Sequence, residues 1–424
     1  MDDLEFNKTC DFIVKLGATA LGYGVSSFRL ESHLNRLTAA LGLCGDFLVT
    51  PEKIVSVLWR AGDERQRINV TRIADSGLNM AGLDRVDELV RRVASGEVSV
   101  EAGIGRLAEI KKTPAPFGPL MTAVSFGLIG AGFGVRLSLP WHDVIIGVVL
   151  SVVVFGVVFV LGRSPTTARM INPAAAFVAA ILAYAIAATW APSSKHAMVT
   201  LCAIIALIAN QGLILGPGEL LSNHVASGTE RLISASVALI ELAFGAFLGT
   251  AIASAVWTIP AGSAVASMGP GWAWPAVVVL GVGFAMMSQV RPKEFGWVIL
   301  GCVLAFAGTV VGGKLLGSGP GDLLGALVLG IFANGYALRT RRPATTILLP
   351  GLMVLVPGYA SYLGLGTLQT IGVEASLLDE FKFLVSIVWI IGGLFIANTI
   401  IPPTRTVQPP PTSQRKDPSA WTPP

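Results

Sequence analysis

The tetrapeptides Leu215-Gly216-Pro217-Gly218 and Leu355-Val356-Pro357-Gly358 decide how this chain is read. The first closes the fourth of a series of long apolar segments, and the second lies in the ninth. Proline removes a backbone donor and glycine weakens a helix, so each pair is expected to break or end a helix at membrane depth. Irregular backbone at that depth is tolerated where it is buried or lines a polar cavity. Two such breaks, matched between two halves of a chain, point to a transporter site near the membrane midplane.

The surrounding composition fits a membrane protein with a polar front. Of 424 residues, 53% are hydrophobic and only 13% charged, about half the usual charged share. The charges are uneven: residues 1–116 hold 15 Lys/Arg and 16 Asp/Glu, whereas residues 117–401 hold 12 and 9. This predicts a front domain over 1–116 and a membrane part behind it. A net charge of +4 gives no case for nucleic acid. The acidic start, Met1-Asp2-Asp3-Leu4-Glu5, does not read as a signal peptide. The four cysteines (Cys10, Cys44, Cys202 and Cys302) are far apart and suggest neither disulfides nor a metal site.

Within 1–116 the pattern reads as a small α+β unit. Helices are expected over about 6–22 and from Ser26 or Ser27 to Gly42, then strands near 46–50, 54–59 and 67–73, then two more helices, 83–94 and one starting behind Ser99. From Phe117 onward, ten apolar segments follow near 117–137, 142–162, 172–190, 197–215, 229–257, 273–290, 295–313, 320–338, 346–364 and 379–401. Each is long enough to cross a hydrocarbon core of roughly 30 Å. The Pro-rich tail over 402–424 is expected to be disordered. With the N-terminus inside, the inside loops carry Arg163, Arg169, Arg231, Arg291, Lys293, Arg339, Arg341 and Arg342. The outside loops carry Lys195 and Lys314, with Arg136 and Lys382 near helix ends, which is the positive-inside bias. Ten segments divide into two sets of five, 117–257 and 273–401. An odd number of crossings makes the second set insert upside down, the parity of an inverted repeat. The expected fold is therefore a polytopic α-helical membrane protein, about ten helices in two five-helix inverted repeats, with a small cytoplasmic α+β domain.

Several stretches resemble the threonine/serine exporter family. In the front domain they are Gly24-Val25-Ser26-Ser27-Phe28-Arg29-Leu30-Glu31, Leu41-Gly42, Val49-Thr50-Pro51, Val70-Thr71-Arg72, the run from Leu89 to Gly96, and Gly105 to Ile110. In the membrane part they are the first Pro-Gly pair with Asn223 and Ser227-Gly228-Thr229-Glu230-Arg231-Leu232, and Leu349-Pro350-Gly351 through Pro357-Gly358-Tyr359. The resemblance covers nearly the whole chain apart from the tail. It implies export of threonine and serine from the cytoplasm across the cell (inner) membrane, driven by the proton gradient, with both termini cytoplasmic. The loop between Gly218 and Gly228 departs from the family, being short, with His224 after Asn223. This puts the substrate range in question.

The residues themselves nominate a site. Asn210 and Gln211 precede the first break, and neutral amides bind a zwitterion or bridge helices. Glu219 follows Pro217-Gly218 and faces either a substrate ammonium or solvent. Ser222 and Asn223 start a half-helix whose free N–H groups attract a carboxylate, or simply cap the next segment. Arg231 pairs with Glu219 or Glu230, or anchors the topology. Pro357, Gly358, Tyr359 and Ser361 form the second break, with hydroxyls suited to a hydroxy-amino acid. Glu241, near the centre of the fifth segment, is the candidate proton carrier; the alternative is a protonated carboxyl bridging helices. Arg29 and Glu31 read as an ion pair ordering the front domain. No nucleophile elbow, Walker loop, metal triad or cofactor motif is expected, and the chain does not read as an enzyme. The implied partners are a small amino acid, protons and membrane lipid; a homo-oligomer is left open. The competing readings are a transporter of another small metabolite, or a membrane sensor or enzyme whose front domain is the active part.

The loop charges predict that position 341 faces the cytoplasm. An Arg341→Cys variant on a cysteine-free background should react with an impermeant maleimide only after cells are opened. Labelling from outside intact cells would overturn the ten-crossing topology.

Overall fold

The computed structural model describes residues 2–63, 65–73, 77–208, 211–260, 265–355 and 373–402. Asn210, Pro357, Gly358, Tyr359, Ser361 and the tail from 403 lie outside the described residues. The N-terminal part begins with α1 (Asp3–Gly22), whose first turn is capped by the Asp2 carboxylate accepting from the Glu5 N–H, and α2 (Ser27–Ala40). A meander follows: β1 (Leu43–Val49), β2 (Lys53–Arg60) and β3 (Gln66–Arg72), antiparallel in the order β1-β2-β3. Then come α3 (Met80–Ala94) and α4 (Val100–Lys112). Phe12, Ile13 and Leu16 of α1, Leu30, Leu34 and Leu37 of α2, and Ile54 and Leu58 of β2 are almost wholly buried. The sheet therefore packs one face on the helices, following the period-two alternation of β2. Its other face leaves Leu48, Ile68 and Val70 exposed.

The remaining chain is helical: α5 (Pro119–Arg136), α6 (Trp141–Leu161), the short α7 (Pro165–Ala168), α8 (Ile171–Thr189), α9 (His196–Ile208), α10 (Gln211–Leu221) and α11 (Val225–Val256). After a connection come α12 (Ala273–Met287), α13 (Phe295–Leu316), α14 (Ser318–Thr340), α15 (Thr345–Leu355) and α16 (Val373–Ile400). Among the described residues, 6 helices are long and apolar enough to cross a membrane, and four shorter apolar helices accompany them. The chain is a polytopic helical membrane protein.

Glycines set the spacing of these helices, as expected where lipid removes the hydrophobic drive for helix pairing. A Cβ on Gly132 of α5 would lie 2.5 Å from Leu280 of α12, and a Cβ on Gly283 of α12 would lie 2.8 Å from Ile129 of α5. Residues 132 and 283, and 129 and 280, are both 151 apart, so this contact is reciprocal. The same offset maps the approach of Gly130 to Ser151 onto that of Gly281 to Cys302. It also maps the turn after α5, with Ser138 at φ 54° and the Leu139 N–H on the Gly134 carbonyl, onto the turn after α12. There Gln289 is at φ 55° and the Val290 N–H meets the Ala285 carbonyl. The α8–α11 and α14–α16 pairs also repeat one another, at offsets of 150 and 148 residues: Gly249 packs on Ala180, and Gly330 on Ala397.

The expected helix break at Pro217-Gly218 does not occur. Helix α10 runs through both residues to Leu221. The proline costs it one intrahelical hydrogen bond, but the flanking glycines let α10 lie directly on α11. A Cβ at Gly212 would sit 2.6 Å from the Arg231 carbonyl oxygen, and one at Gly228 2.7 Å from that of Gly216. Pro350 is likewise inside a helix, α15. The chain reverses after α10 through Asn223 at φ 61°, with the His224 N–H donating to the Glu219 carbonyl; asparagine tolerates this left-handed position. Helix α11 starts at Val225, four residues before the expected 229.

A side chain at Gly245 would place Cβ 2.1 Å from the Pro173 carbonyl oxygen, whereas nothing lies within 4 Å of one at Gly156. Gly245→Val should therefore destabilise the detergent-solubilised protein by about 1–3 kcal/mol or more, read as a lowered Tm and loss of the monodisperse peak. Gly156→Val should leave both unchanged.

Candidate functional site

The N-terminal part docks on one end of the helical bundle, and Glu219 is the centre of the joint. Its carboxylate is wholly buried. It accepts from the Ser27 backbone N–H at 2.8 Å, from Ser227 Oγ at 2.5 Å and from Arg231 Nε at 3.0 Å. Ser27 Oγ and Ser227 Oγ are 2.6 Å apart. The Ser27 N–H belongs to the first turn of α2, so a carboxylate of the bundle sits on a helix N-terminus of the N-terminal part, where the helix dipole favours it. A buried carboxylate is retained only with such a full set of donors and a paired cation. Of the alternatives for Glu219, a solvated position is excluded, and Arg231 takes it as its partner.

A second link flanks this one. His224 Nε2 lies 2.7 Å from Glu31 Oε2, while Glu31 Oε1 accepts from the Val49 N–H at 2.8 Å. Glu31 therefore pairs across the joint and not with Arg29, which corrects the expected Arg29/Glu31 ion pair. At the far side of the joint, the Met80 and Ala81 N–H groups donate to the Ser288 and Gln289 carbonyls, both at 3.1 Å. Asp84 pairs there with Arg291. The start of α3, like that of α2, is pinned to the bundle by its free backbone donors.

Beside the Glu219 joint lies a cavity of about 430 Å³. Leu213, Gly218 and Ser222 of the α10 hairpin, Thr345 and Leu352 of α15, and Leu394 and Asn398 of α16 line its wall. Ser26, Phe28 and Arg29 close one end. The polar groups gather where α10 and α16 end and α15 begins, so the cavity reaches the docking face. Asn398 Oδ1 accepts from Asn334 Nδ2 at 2.8 Å. A second, more polar cavity of about 680 Å³ lies on the other side of the hairpin, between β2, β3 and α11, with Lys53, Arg72, Glu230 and Arg231 on its wall.

The nominated residues separate in three dimensions. Gly218 and Ser222 reach the cavity, and Ser222 Oγ donates to the Gly218 carbonyl at 2.8 Å. Gln211 and Pro217 lie in α10, and Asn223 makes the reversal. Glu241 lies apart from the cavity. Asn172 Nδ2, in the first turn of α8, donates to its Oε2 at 2.9 Å. Mid-helix in α11, Glu241 is nevertheless level with a helix start, because α11 extends well beyond α8 at that end. In the second half, Asp322 stands 150 residues after Asn172 and is bonded by Ser386 of α16, so each half carries a carboxyl across the corresponding helix pair. Ser26, Arg29, Thr345 and Asn398 were not nominated by sequence. Ser27 and Glu219 are 192 residues apart, a separation no periodicity spans.

The architecture, a helical bundle with a cavity beside a docked polar unit, is that of a polytopic membrane protein. Residues 11–253 match the family model ThrE, described as "Putative threonine/serine exporter", and residues 275–400 match ThrE_2, "Threonine/Serine exporter, ThrE". The chain belongs to the threonine/serine exporter family. It is 20% identical over 360 residues to the threonine/serine exporter of Corynebacterium glutamicum, covering 83% of this chain and 74% of that protein. It is 23% identical over 386 residues to an uncharacterised protein of Schizosaccharomyces pombe, covering 87% of this chain and 50% of the relative. To the pheromone-regulated membrane protein 10 of Yarrowia lipolytica it is 24% identical over 369 residues, 82% of this chain and 30% of the relative. The chain thus spans half or less of these fungal relatives. No solved structure matches it.

The His224–Glu31 link predicts a pH dependence of docking. Burial alone lowers the His224 pKa, but the Ser222 carbonyl, the Glu31 carboxylate and the nearby Glu219 charge outweigh it, and the net shift is upward from 6.5. A raised pKa in the docked state means that the link contributes fully below pH 6.5 and is lost as pH rises through the higher docked value. Amide-exchange protection of the α2 N-terminus should fall over that window. His224→Gln should flatten the response; an unchanged profile in this variant would show that another group is responsible.

Proposed function

We propose that this chain is a secondary active exporter of threonine and serine that works by alternating access across the cell (inner) membrane. In this reading ten crossings form two inverted five-helix repeats, with the N-terminal domain (1–116) and the tail (402–424) in the cytoplasm. The observation that carries the reading is the cavity. It is bounded by α10 from the fourth crossing and α15 from the ninth, the same position in each half, as a site at a repeat interface should be. The reciprocal Gly132–Leu280 and Gly283–Ile129 contacts support the repeat, since only a two-fold relation makes a contact map onto itself with partners exchanged. The similarity to the Corynebacterium threonine/serine exporter supports the substrate. The cavity's largely apolar wall favours, as a second reading, an amino acid or other small carboxylate with a more apolar side chain.

Proton coupling is assigned to Glu241. Asn172 in the first turn of α8 bonds its carboxyl, and movement of α11 against α8 would separate the two. Vesicles holding the reconstituted protein should export labelled threonine and serine when a proton gradient is imposed. Glu241→Gln should abolish gradient-driven export while keeping exchange down a concentration gradient. Normal proton-driven export by the Gln variant would leave Glu241 only a helix-bridging role, and no transport of any amino acid by the wild type would remove the function itself.

A further inference from the structure

The N-terminus of α2 has the chemistry of a carboxylate site. Ser26 occupies the N-cap position, yet its side chain caps nothing. Its Oγ is buried, with the residue 2% exposed, and has no hydrogen-bond partner among the described residues. A serine at this position ordinarily bonds an N–H of the first turn, and a buried hydroxyl without a partner is costly. Ser26, Phe28 and Arg29 all line the 430 Å³ cavity. Within the same turn the Ser27 N–H is taken by Glu219, while among the described residues no partner engages the Phe28 or Arg29 N–H.

The Arg29 guanidinium completes the group. It is half-buried at the cavity end, 5.8 Å from the centroid of the Phe28 ring, and no hydrogen bond or ion pair engages it among the described residues. Burial pushes its pKa down to about 10, with Asp87 of α3 opposing the shift, so it stays cationic at neutral pH. Asp87 makes no hydrogen bond to Arg29; its nearest cationic partner is Arg91 Nε at 4.0 Å. Glu219, on the bundle side of the joint, is paired with Arg231. Of the other polar groups at the cavity, Asn398, Ser222 and Thr399 have partners, while Thr345 of α15 has none among the described residues. Ser26, the Arg29 guanidinium and the two free N–H groups thus stand together in one turn at one end of a largely apolar chamber.

We propose that the α2 N-terminus binds the carboxylate of the transported molecule, with Ser26 Oγ, the Phe28 and Arg29 N–H groups and the Arg29 guanidinium as its donors. The N-terminal domain is then part of the substrate site and not only a cover. The matching ligand is a small organic monocarboxylate whose remaining body lies against Leu213, Leu348, Leu352, Ile390 and Leu394. An amino acid fits this class. The assignment rests on the reading of the cavity as the substrate path.

The test is binding of labelled L-threonine and L-leucine to the full chain in lipid nanodiscs, with threoninol, which lacks the carboxylate, and inorganic phosphate as competitors. At least one amino acid should bind, and threoninol should not displace it. Arg29→Gln should raise its Kd roughly 10- to 100-fold, the range for losing a hydrogen bond to a charged group. Ser26→Gly, which keeps an acceptable N-cap residue but removes the hydroxyl, should raise it about 3- to 10-fold; this variant also decides the matter should Arg29→Gln fail to fold. Unchanged affinity in folded Ser26→Gly and Arg29→Gln, displacement by threoninol, or binding of phosphate with no amino acid bound would each overturn the assignment. Proton-driven export with an unaltered KM in both variants would sink this inference and leave the transport reading standing. Arg29-dependent amino-acid binding without any export would do the reverse.

Discussion

One buried carboxylate holds the two parts of this protein in register. Glu219 has no access to water, so the structure must supply every partner that water would have supplied. It draws these from three places: the first N–H of α2, the hydroxyl of Ser227 and the guanidinium of Arg231. Removing any of them leaves a buried charge under-compensated, at a cost of about 3–5 kcal/mol for the loss of a paired partner. The requirement fixes where α2 starts relative to the bundle. Through α2 it also fixes where Ser26, Phe28 and Arg29 stand at the cavity.

The same constraint explains why the Pro-Gly pair does not interrupt its helix. Within a membrane bundle, closeness of approach matters more than the strength of any one helix, because lipid does not push helices together. Gly212, Gly216 and Gly228 bring the α10 and α11 backbones into contact, and that contact places Glu219 beside Ser227 and Arg231. A proline whose lost hydrogen bond would break a free helix is accommodated in a hairpin held on its other side. The glycines that pair α5 with α12, α8 with α11 and α14 with α16 act in the same way, and their repetition about 150 residues apart underlies the proposed two-fold relation between halves.

For the proposed transport cycle, the joint is as important as the chamber. The N-terminal part contributes two helix N-termini, α2 and α3, and each spends backbone donors on the bundle. Glu31 and His224 add a link whose strength depends on pH. A substrate carboxylate bound at the α2 N-terminus would share that turn with Glu219. Movement of the bundle around Glu219 would then be felt at the substrate, which offers a physical route for coupling docking to transport.

Much of the outline was legible in the sequence. Apolar segments of adequate length, loop charges and the change of composition at Phe117 are one-dimensional quantities, and most helices start within a few residues of where they predict, although the fourth segment is two helices, α9 and α10, and the ninth is described only to Leu355. The α+β order of the N-terminal part also followed from local periodicity, with Ser26 ahead of α2 and strands at nearly the expected places. The pairing of Arg231 with Glu219 was one of two partners the loop allowed. Tertiary structure alone decided the rest. Helix α11 begins at Val225 and overhangs α8, so Glu241, central in its own segment, lies level with a helix start and bonds Asn172. Glu31 bonds His224, 193 residues away, and leaves the neighbouring Arg29 uncommitted. Depth and partnership are properties of how helices are staggered and which ends meet. A sequence fixes the length and polarity of each segment, but the stagger is set by glycine contacts and buried charges that only the assembled bundle brings together.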